Sequence, residues 1–184
     1  MFRKVYLKLF SVCLLLVITG CVVRYDGPYE GRIIDAGTGE PIEGVVVLGV
    51  WYTAHFNVGG ASHKFYDAQE TVTDENGEFF IRGLGLKFFT TVESMNIMIF
   101  KAGYEDIGMG SWTSLKEDYL LMNKIKWEGE KAIIPLKKLT MAERQKQGTP
   151  SRPSIPIRKM KQLTEEVNKE RIDLGYSPYD TGGT

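Results

Sequence analysis

Hydrophobic residues follow the patterns of β-strands over most of this chain. Residues 45–52 form a continuous, largely β-branched apolar run, which predicts a central strand covered on both faces. By contrast, residues 53–69 contain glycine, serine and asparagine and predict a long loop. Pro135 predicts that the last strand ends, or lies at a sheet edge, at that point. Shorter strands are predicted at residues 31–34, 96–101 and 131–136.

A turn signal at residues 74–77 separates two more β-favouring runs. Its Asn-Gly pair accepts the left-handed conformation of tight reversals, which predicts a hairpin between residues 70–73 and 78–81. The core of this hairpin is predicted to contain Val72, Phe79 and Ile81. Residues 115–125 have a spacing compatible with a helix, although they lie between predicted strands.

Residues 140–184 change to a helical pattern. Thr140 and Glu143 have the spacing of a capping box, and Gly148 would end the short helix that follows. After a proline-rich link, a second helix is predicted to begin near Ile157 and to end at Gly175. We predict that its apolar stripe packs on the chain's own strands; docking to another protein or to lipid headgroups is the alternative. The stripe consists of Met160, Leu163, Val167 and Leu174.

The first 21 residues have the features of an export signal. A basic start is followed by an apolar stretch, residues 9–18, that is too short to span a bilayer. Ile18-Thr19-Gly20-Cys21 resembles the lipobox of bacterial lipoproteins. The resemblance implies cleavage after Gly20 by signal peptidase II and attachment of fatty acyl chains such as palmitate to Cys21. The alternatives are an ordinary secretory signal with an incidental cysteine, or a transmembrane anchor.

The implied location is a membrane surface outside the cytoplasm. Acylated Cys21 would hold the protein in the cell membrane or outer membrane, facing the periplasm or the exterior. Val22, in place of aspartate, resembles the pattern that permits release to the outer membrane in bacteria with two membranes. Because Cys13 leaves with the signal, the mature chain would have no free thiol and no disulfide.

Charge argues against a nucleic-acid partner. The whole chain carries 23 Lys and Arg against 23 Asp and Glu, and loss of residues 1–20 removes three basic side chains, leaving a net charge near −3. Phosphate backbones require a clear basic excess on one face. The expected partners are therefore membrane lipid, through acylated Cys21, and a protein or glycan of the cell envelope.

Three motifs in order resemble the carboxypeptidase regulatory-like domain. They are the segments 31–47, with its Asp35-Ala36 and Thr38-Gly39 turn, 71–79 and 101–104. The resemblance implies a mainly β fold, a transthyretin-like Greek-key β-sandwich of about seven strands with a C-terminal helical extension. The implied organisation is a signal peptide at 1–20, a tether at 21–28, a sandwich at 29–139 and the extension at 140–184. These motifs specify a scaffold and carry no reaction.

The predicted loop at 53–69 contains the candidate chemistry. Its aromatic residues are candidates for stacking on a sugar or a peptide, and packing beneath the loop is the alternative. His55 and His63 could form a metal site with Asp67 or Glu70; two solvated histidines are the alternative. The aromatic candidates are Trp51, Tyr52, Phe56, Phe65 and Tyr66.

The sequence contains no recognisable catalytic constellation. The zinc carboxypeptidase pattern is absent after both histidines, and no serine lies in a Gly-x-Ser-x-Gly context. We therefore expect a non-catalytic binding or envelope-structural module with no cofactor. The alternative is a small ligand-binding or metal-binding accessory unit, or a hydrolase, with its site in the 53–69 loop.

Overall fold

The computed structural model describes residue 6 and residues 23–57, 60–88, 91–117 and 124–181. The predicted signal peptide and Cys21 lie outside the continuous described ranges, so their predictions are not addressed by the fold. In the part that is described, no helix has the length and hydrophobicity to cross a bilayer. The strands are β1 (Val23–Asp26), β2 (Tyr29–Asp35), β3 (Val46–Asn57), β4 (Gly60–Val72), β5 (Glu78–Ile81), β6 (Gly85–Phe88), β7 (Asn96–Phe100), β8 (Ile107–Ser111), β9 (Lys126–Glu128) and β10 (Lys131–Leu136). The helices are α1 (Ser114–Glu117), α2 (Met141–Gln147), the 3-10 turn Ile157–Lys159 and α3 (Lys161–Asp173).

The strands form a β-sandwich with a small additional ribbon. One four-stranded sheet has the order β5-β2-β10-β9 and the other has the order β4-β3-β7-β8. Alternate side chains of both sheets meet in one apolar core. β1 and β6 pair separately as an antiparallel two-stranded ribbon. The predicted fold class, a mainly β sandwich with a C-terminal helix, is confirmed.

Strand β3 is covered on both faces, as its continuous apolar run predicted. Val47 and Trp51 point into the core between the sheets. Leu48 points the other way, into a second cluster that includes Leu163 and Val167 of helix α3. All five side chains are fully buried. The prediction that the tail helix packs on its own sandwich is therefore confirmed.

The prediction of a long loop at residues 53–69 is wrong. Residues 46–57 and 60–72 pair along their whole length as an antiparallel hairpin, from Val46 opposite Val72 to Asn57 opposite Gly60. A register shift between Trp51 and Tyr52 interrupts the two-residue alternation that marks a strand in sequence. Beyond it, His55 and residues 62–64 are exposed, so their polar character does not exclude a strand.

The turn at residues 74–77 forms as predicted, but the prediction that its flanking strands pair as a hairpin is wrong. Asp74 Oδ1 accepts the backbone N–H of Asn76 at 3.0 Å and of Glu78 at 2.8 Å, which closes the turn. The flanking strands then separate, because β4 pairs with β3 whereas β5 pairs with β2 in the opposite sheet. Phe79 and Ile81 are buried as predicted, and Val72 is 40% exposed, which contradicts its predicted core role.

The segment between β7 and β10 contains mixed structure. The spacing that suggested a helix over 115–125 corresponds in part to the four-residue helix α1, and residues 118–123 lie outside the described part. β10 lies between β2 and β9, but β9 pairs only with residues 131–133. Pro135 therefore occupies a position where β10 has already lost one neighbour, which agrees with the rule that proline avoids paired positions.

The C-terminal extension is held by specific contacts at both ends. The predicted capping box is present, since Glu143 N–H bonds the Thr140 hydroxyl and the Glu143 carboxylate accepts the Thr140 N–H. The N-terminus of α3 is capped from strand β4 by Glu70, which accepts the Leu163 N–H at 2.8 Å. Near its other end, Glu170 accepts the Gly103 N–H at 2.9 Å. The helix is thus fixed across the outer face of β3 and β7.

Candidate functional site

The candidate aromatic residues of the β3–β4 hairpin do not form one surface. Trp51 is fully buried in the core, so it has no face available to a ligand. Tyr52 and Phe65 are half-buried against the cluster beneath the C-terminal extension, as the packing alternative required. Tyr66 is 53% exposed, and the side chain of Phe56 lies outside the described part. Tyr66 therefore remains as a single exposed candidate among the four side chains that are described.

The candidate metal ligands are also separated. His55 and His63 stand opposite Ser62 and Ala54, so strand alternation directs the two rings to opposite faces of the hairpin. His63 Nδ1 lies 2.9 Å from a Glu93 carboxylate oxygen, and His55 Nε2 lies 3.1 Å from the Thr53 hydroxyl.

The carboxylates proposed with them are occupied elsewhere. The Asp67 carboxylate forms an ion pair at 2.6 Å with Lys159 of the extension. Glu70 caps α3, and burial raises the pKa of its carboxyl against the lowering effect of the helix N–H groups. Across the described residues, no group of three or more His, Cys, Asp or Glu side chains is placed to hold a metal ion.

A small polar cleft lies beside Glu93, the partner of His63. It has a volume of about 260 Å³ and is lined by Glu93, Ser94, Asn96 and Ser111. The Ser94 hydroxyl accepts a hydrogen bond from Arg24, and the Ser111 hydroxyl is 2.8 Å from that of Thr113. This arrangement can hydrogen-bond a small polar ligand. It does not place a histidine against either serine in the manner of an activated nucleophile.

A buried carboxylate, Asp26, is the most strongly organised polar group of the protein. Its Oδ1 accepts from the Tyr29 hydroxyl and the Lys87 ammonium, both at 2.9 Å. Its Oδ2 accepts from Trp51 Nε1 at 2.8 Å and from the Leu84 N–H at 3.0 Å. Four donors use the accepting capacity of one carboxylate. The cluster therefore joins the ribbon to both sheets.

The electrostatics of this cluster favour a structural role. Burial, reinforced by the adjacent Asp26 carboxylate, raises the pKa of Tyr29, so its hydroxyl stays protonated and keeps donating. The side chain of Lys87 is 6% exposed and that of Asp26 is fully buried, so the charges neutralise each other within the protein. Asp26 lies in the segment predicted as a tether, residues 21–28, but residues 23–26 form strand β1 and Asp26 was not among the predicted site residues. The alternation Val23-Arg24-Tyr25-Asp26 was the available signal.

The opposite face of the ribbon is apolar and exposed. Tyr25 is 65% exposed, Leu86 is 54% exposed and Phe88 is 58% exposed. Tyr25 and Leu86 stand opposite each other across the ribbon, and Phe88 lies two residues further along the same face. We call these three residues the ribbon patch. Adjacent apolar side chains in such number at one surface mark an interaction site more often than scattered ones do.

Comparisons with known proteins return no matching family profile, no similar curated protein and no similar solved structure. The lipobox and the carboxypeptidase regulatory-like motifs therefore stay predictions that the sequence alone supports.

Proposed function

We propose that this protein is a lipid-anchored β-sandwich of the bacterial cell envelope that acts as a non-catalytic binding or structural module. The observation that carries the proposal is the sequence Ile18-Thr19-Gly20-Cys21 behind a short apolar run, two residues before the first strand begins. Acylation of Cys21 in two or three chains would hold the protein stably at a membrane surface.

The non-catalytic part of the proposal is supported by the partners of the reactive side chains. Asp26 is saturated by four donors, and Glu70 caps a helix. Asp67 pairs with a lysine of the extension. Such groups position the fold, and their hydrogen bonds leave them poorly suited to exchange protons with a substrate. The carboxypeptidase regulatory-like resemblance agrees, since it implies a scaffold whose partners would be proteins or glycans of the envelope.

Mass spectrometry of the protein extracted from membranes tests the anchor. We expect a mature chain that begins at Cys21 and carries the added mass of a diacylglyceryl group and its acyl chains. Cys21→Ser is expected to keep residues 1–20, because signal peptidase II requires the cysteine. Cys13→Ser is the matched control and is expected to be processed normally. An unmodified mature terminus at any other residue would contradict the proposal.

A second candidate function is binding of a small polar ligand or a divalent metal beside His63. The observation that favours it is the cleft next to the His63–Glu93 pair. Titration calorimetry with zinc provides the test: the accessory-unit hypothesis predicts one equivalent bound, lost in His63→Ala and kept in His55→Ala. Equal loss in both variants, or no heat of binding in the unaltered protein, would exclude zinc binding at this cleft.

A further inference from the structure

We propose that the ribbon patch lies against the headgroup region of the membrane and fixes the orientation of the sandwich on the bilayer. The inference rests on the proposed function, because it requires the acyl anchor at Cys21. It goes beyond anchoring, since it assigns a lipid-contacting surface within the folded domain: Tyr25, Leu86 and Phe88.

The apolar and polar faces of the ribbon are reversed relative to those of an ordinary strand pair on a sandwich. Antiparallel strands on a core normally direct apolar residues inward and polar residues outward. Here Asp26 and Lys87 point inward and are 2% and 7% exposed, whereas Tyr25 and Leu86 point outward.

Buried hydrogen bonds fix this orientation. Asp26 receives the Trp51 indole N–H from the core and the Lys87 ammonium from the neighbouring strand. A slip of one residue would turn every side chain of the strand to the other face and would remove the carboxylate from its donors. The outward position of Tyr25 therefore follows from the buried cluster. The ribbon cannot hide its apolar face by rearranging.

The chain length between the anchor and the ribbon identifies the occupant as lipid. Cys21 precedes Val23 by two residues, so their Cα atoms are at most about 7 Å apart, and Tyr25 is within about 14 Å of Cys21. Acyl chains on Cys21 would keep it at the boundary between headgroups and hydrocarbon. The short connection therefore keeps the patch within reach of the headgroup region.

The chemistry of the patch suits that depth. Tyrosine is enriched at membrane interfaces because its ring is apolar and its hydroxyl stays hydrated. Leucine and phenylalanine gain from partial burial at the acyl boundary, as in the apolar faces of interfacial segments that enter about 5–10 Å. Arg24, on the polar face of the same strand, bonds to Ser94 and ties the ribbon to the segment that leads into β7.

A fluorescent label on an introduced cysteine tests the inference in the full, processed protein. Leu86→Cys places the label in the patch, and Phe88→Cys repeats the measurement at a second position. Ile172→Cys is the matched control, because Ile172 is 60% exposed and its helix contacts Gly103 beyond the far end of β7. Each variant is first required to melt at the temperature of the unaltered protein, then reconstituted in vesicles of phosphatidylethanolamine and phosphatidylglycerol.

We expect the Leu86 label to be quenched by nitroxide lipids and to lose quenching by aqueous iodide, with the reverse result at Ile172. Equal iodide access at both positions would overturn the inference. Iodide protection at Leu86 in cell membranes but not in the vesicles would also overturn it, because another protein would then cover the patch.

The unaltered protein separates a failure of the inference from a failure of the anchor. The anchored protein is expected to take up no thiol label, because the sulfur of Cys21 is acylated and Cys13 is removed with the signal. An unaltered protein that takes up one label would show a free Cys21, which overturns the proposed anchor together with the inference. An unlabelled protein with a solvent-exposed Leu86 position overturns the inference alone.

Discussion

Removal of the Asp26 carboxylate is expected to destabilise the protein more than removal of its cationic partner. Asp26→Leu leaves the Lys87 ammonium, 6% exposed, without its anion. Breaking a buried pair in this way costs about 3–5 kcal/mol. Three further donors, from Tyr29, Trp51 and Leu84, lose the same acceptor. We expect a loss of at least about 3 kcal/mol, equivalent to about 6–12 °C in melting temperature for a chain of this size.

Lys87→Met breaks the same buried pair but is expected to cost less than Asp26→Leu, because the carboxylate keeps its other three donors. The double variant Asp26→Leu/Lys87→Met leaves no buried charge. It should therefore recover part of the stability that Asp26→Leu loses, although Trp51 Nε1 still lacks its acceptor.

Urea unfolding followed by tryptophan fluorescence measures all three variants, since Trp51 belongs to the cluster. Lys131→Met is the matched control, because it makes the same substitution at a lysine that pairs with Glu78 on the surface. The free energy of unfolding is expected to change by no more than about 0.5 kcal/mol. A double variant no more stable than Asp26→Leu would refute the reasoning, as would a larger loss in Lys87→Met than in Asp26→Leu.

Three other predictions follow from single contacts. Leu163 is fully buried on the inner face of α3, and Leu163→Ala is expected to lose about 2–5 kcal/mol in the same assay, whereas Ile172→Ala on the exposed face of that helix stays within about 0.5 kcal/mol. Equal effects would mean that α3 does not stabilise the sandwich. Gly77→Ala is expected to lower the free energy of unfolding more than Gly129→Ala does. Both glycines have positive φ, but a Cβ at Gly77 would lie 2.4 Å from a backbone oxygen, whereas a Cβ at Gly129 would have no atom within 4 Å. Similar losses of stability would contradict the steric argument. Hydrogen bonds from Lys137 and from the Thr140 N–H lower the pKa of Glu143 from 4.5 to about 2. Its contribution to stability is therefore present above pH 4.5 and is lost as the pH falls towards 2. Glu143→Gln should lack that part of the acid dependence of the free energy of unfolding, and an unchanged pH profile would refute the assignment.

The sequence predicted elements whose signals are local. The run at 45–52 indicated a doubly covered strand because every residue in it is apolar. The spacing of Met160, Leu163 and Val167 indicated the packed face of α3. Thr140 with Glu143 indicated the N-terminal cap of the separate helix α2. Each of these signals lies within a few residues and depends on one periodicity or one capping bond.

Predictions failed where distant pairing decides the structure. An Asn-Gly turn at 76–77 fits a hairpin, but Thr73 is held by Ile42 and Gly77 by Ile33, so the chain crosses from one sheet to the other. The β3–β4 hairpin was missed because its bulge at Trp51 breaks the alternation. The Asp26 cluster combines residues up to 61 positions apart, and the alternation at residues 23–26 indicates a strand without indicating its distant partners.

Strand β7 has polar contacts just beyond each of its ends. Ser94, just before β7, bonds to Arg24 of the ribbon. Gly103, just after β7, bonds to Glu170, which also holds Arg144 at 2.7 Å. If the ribbon patch contacts lipid, the end with Glu170 is directed away from the bilayer. A partner in the envelope should then crosslink more efficiently to a probe at Ile172 than to one at Leu86, which links the orientation to the search for that partner.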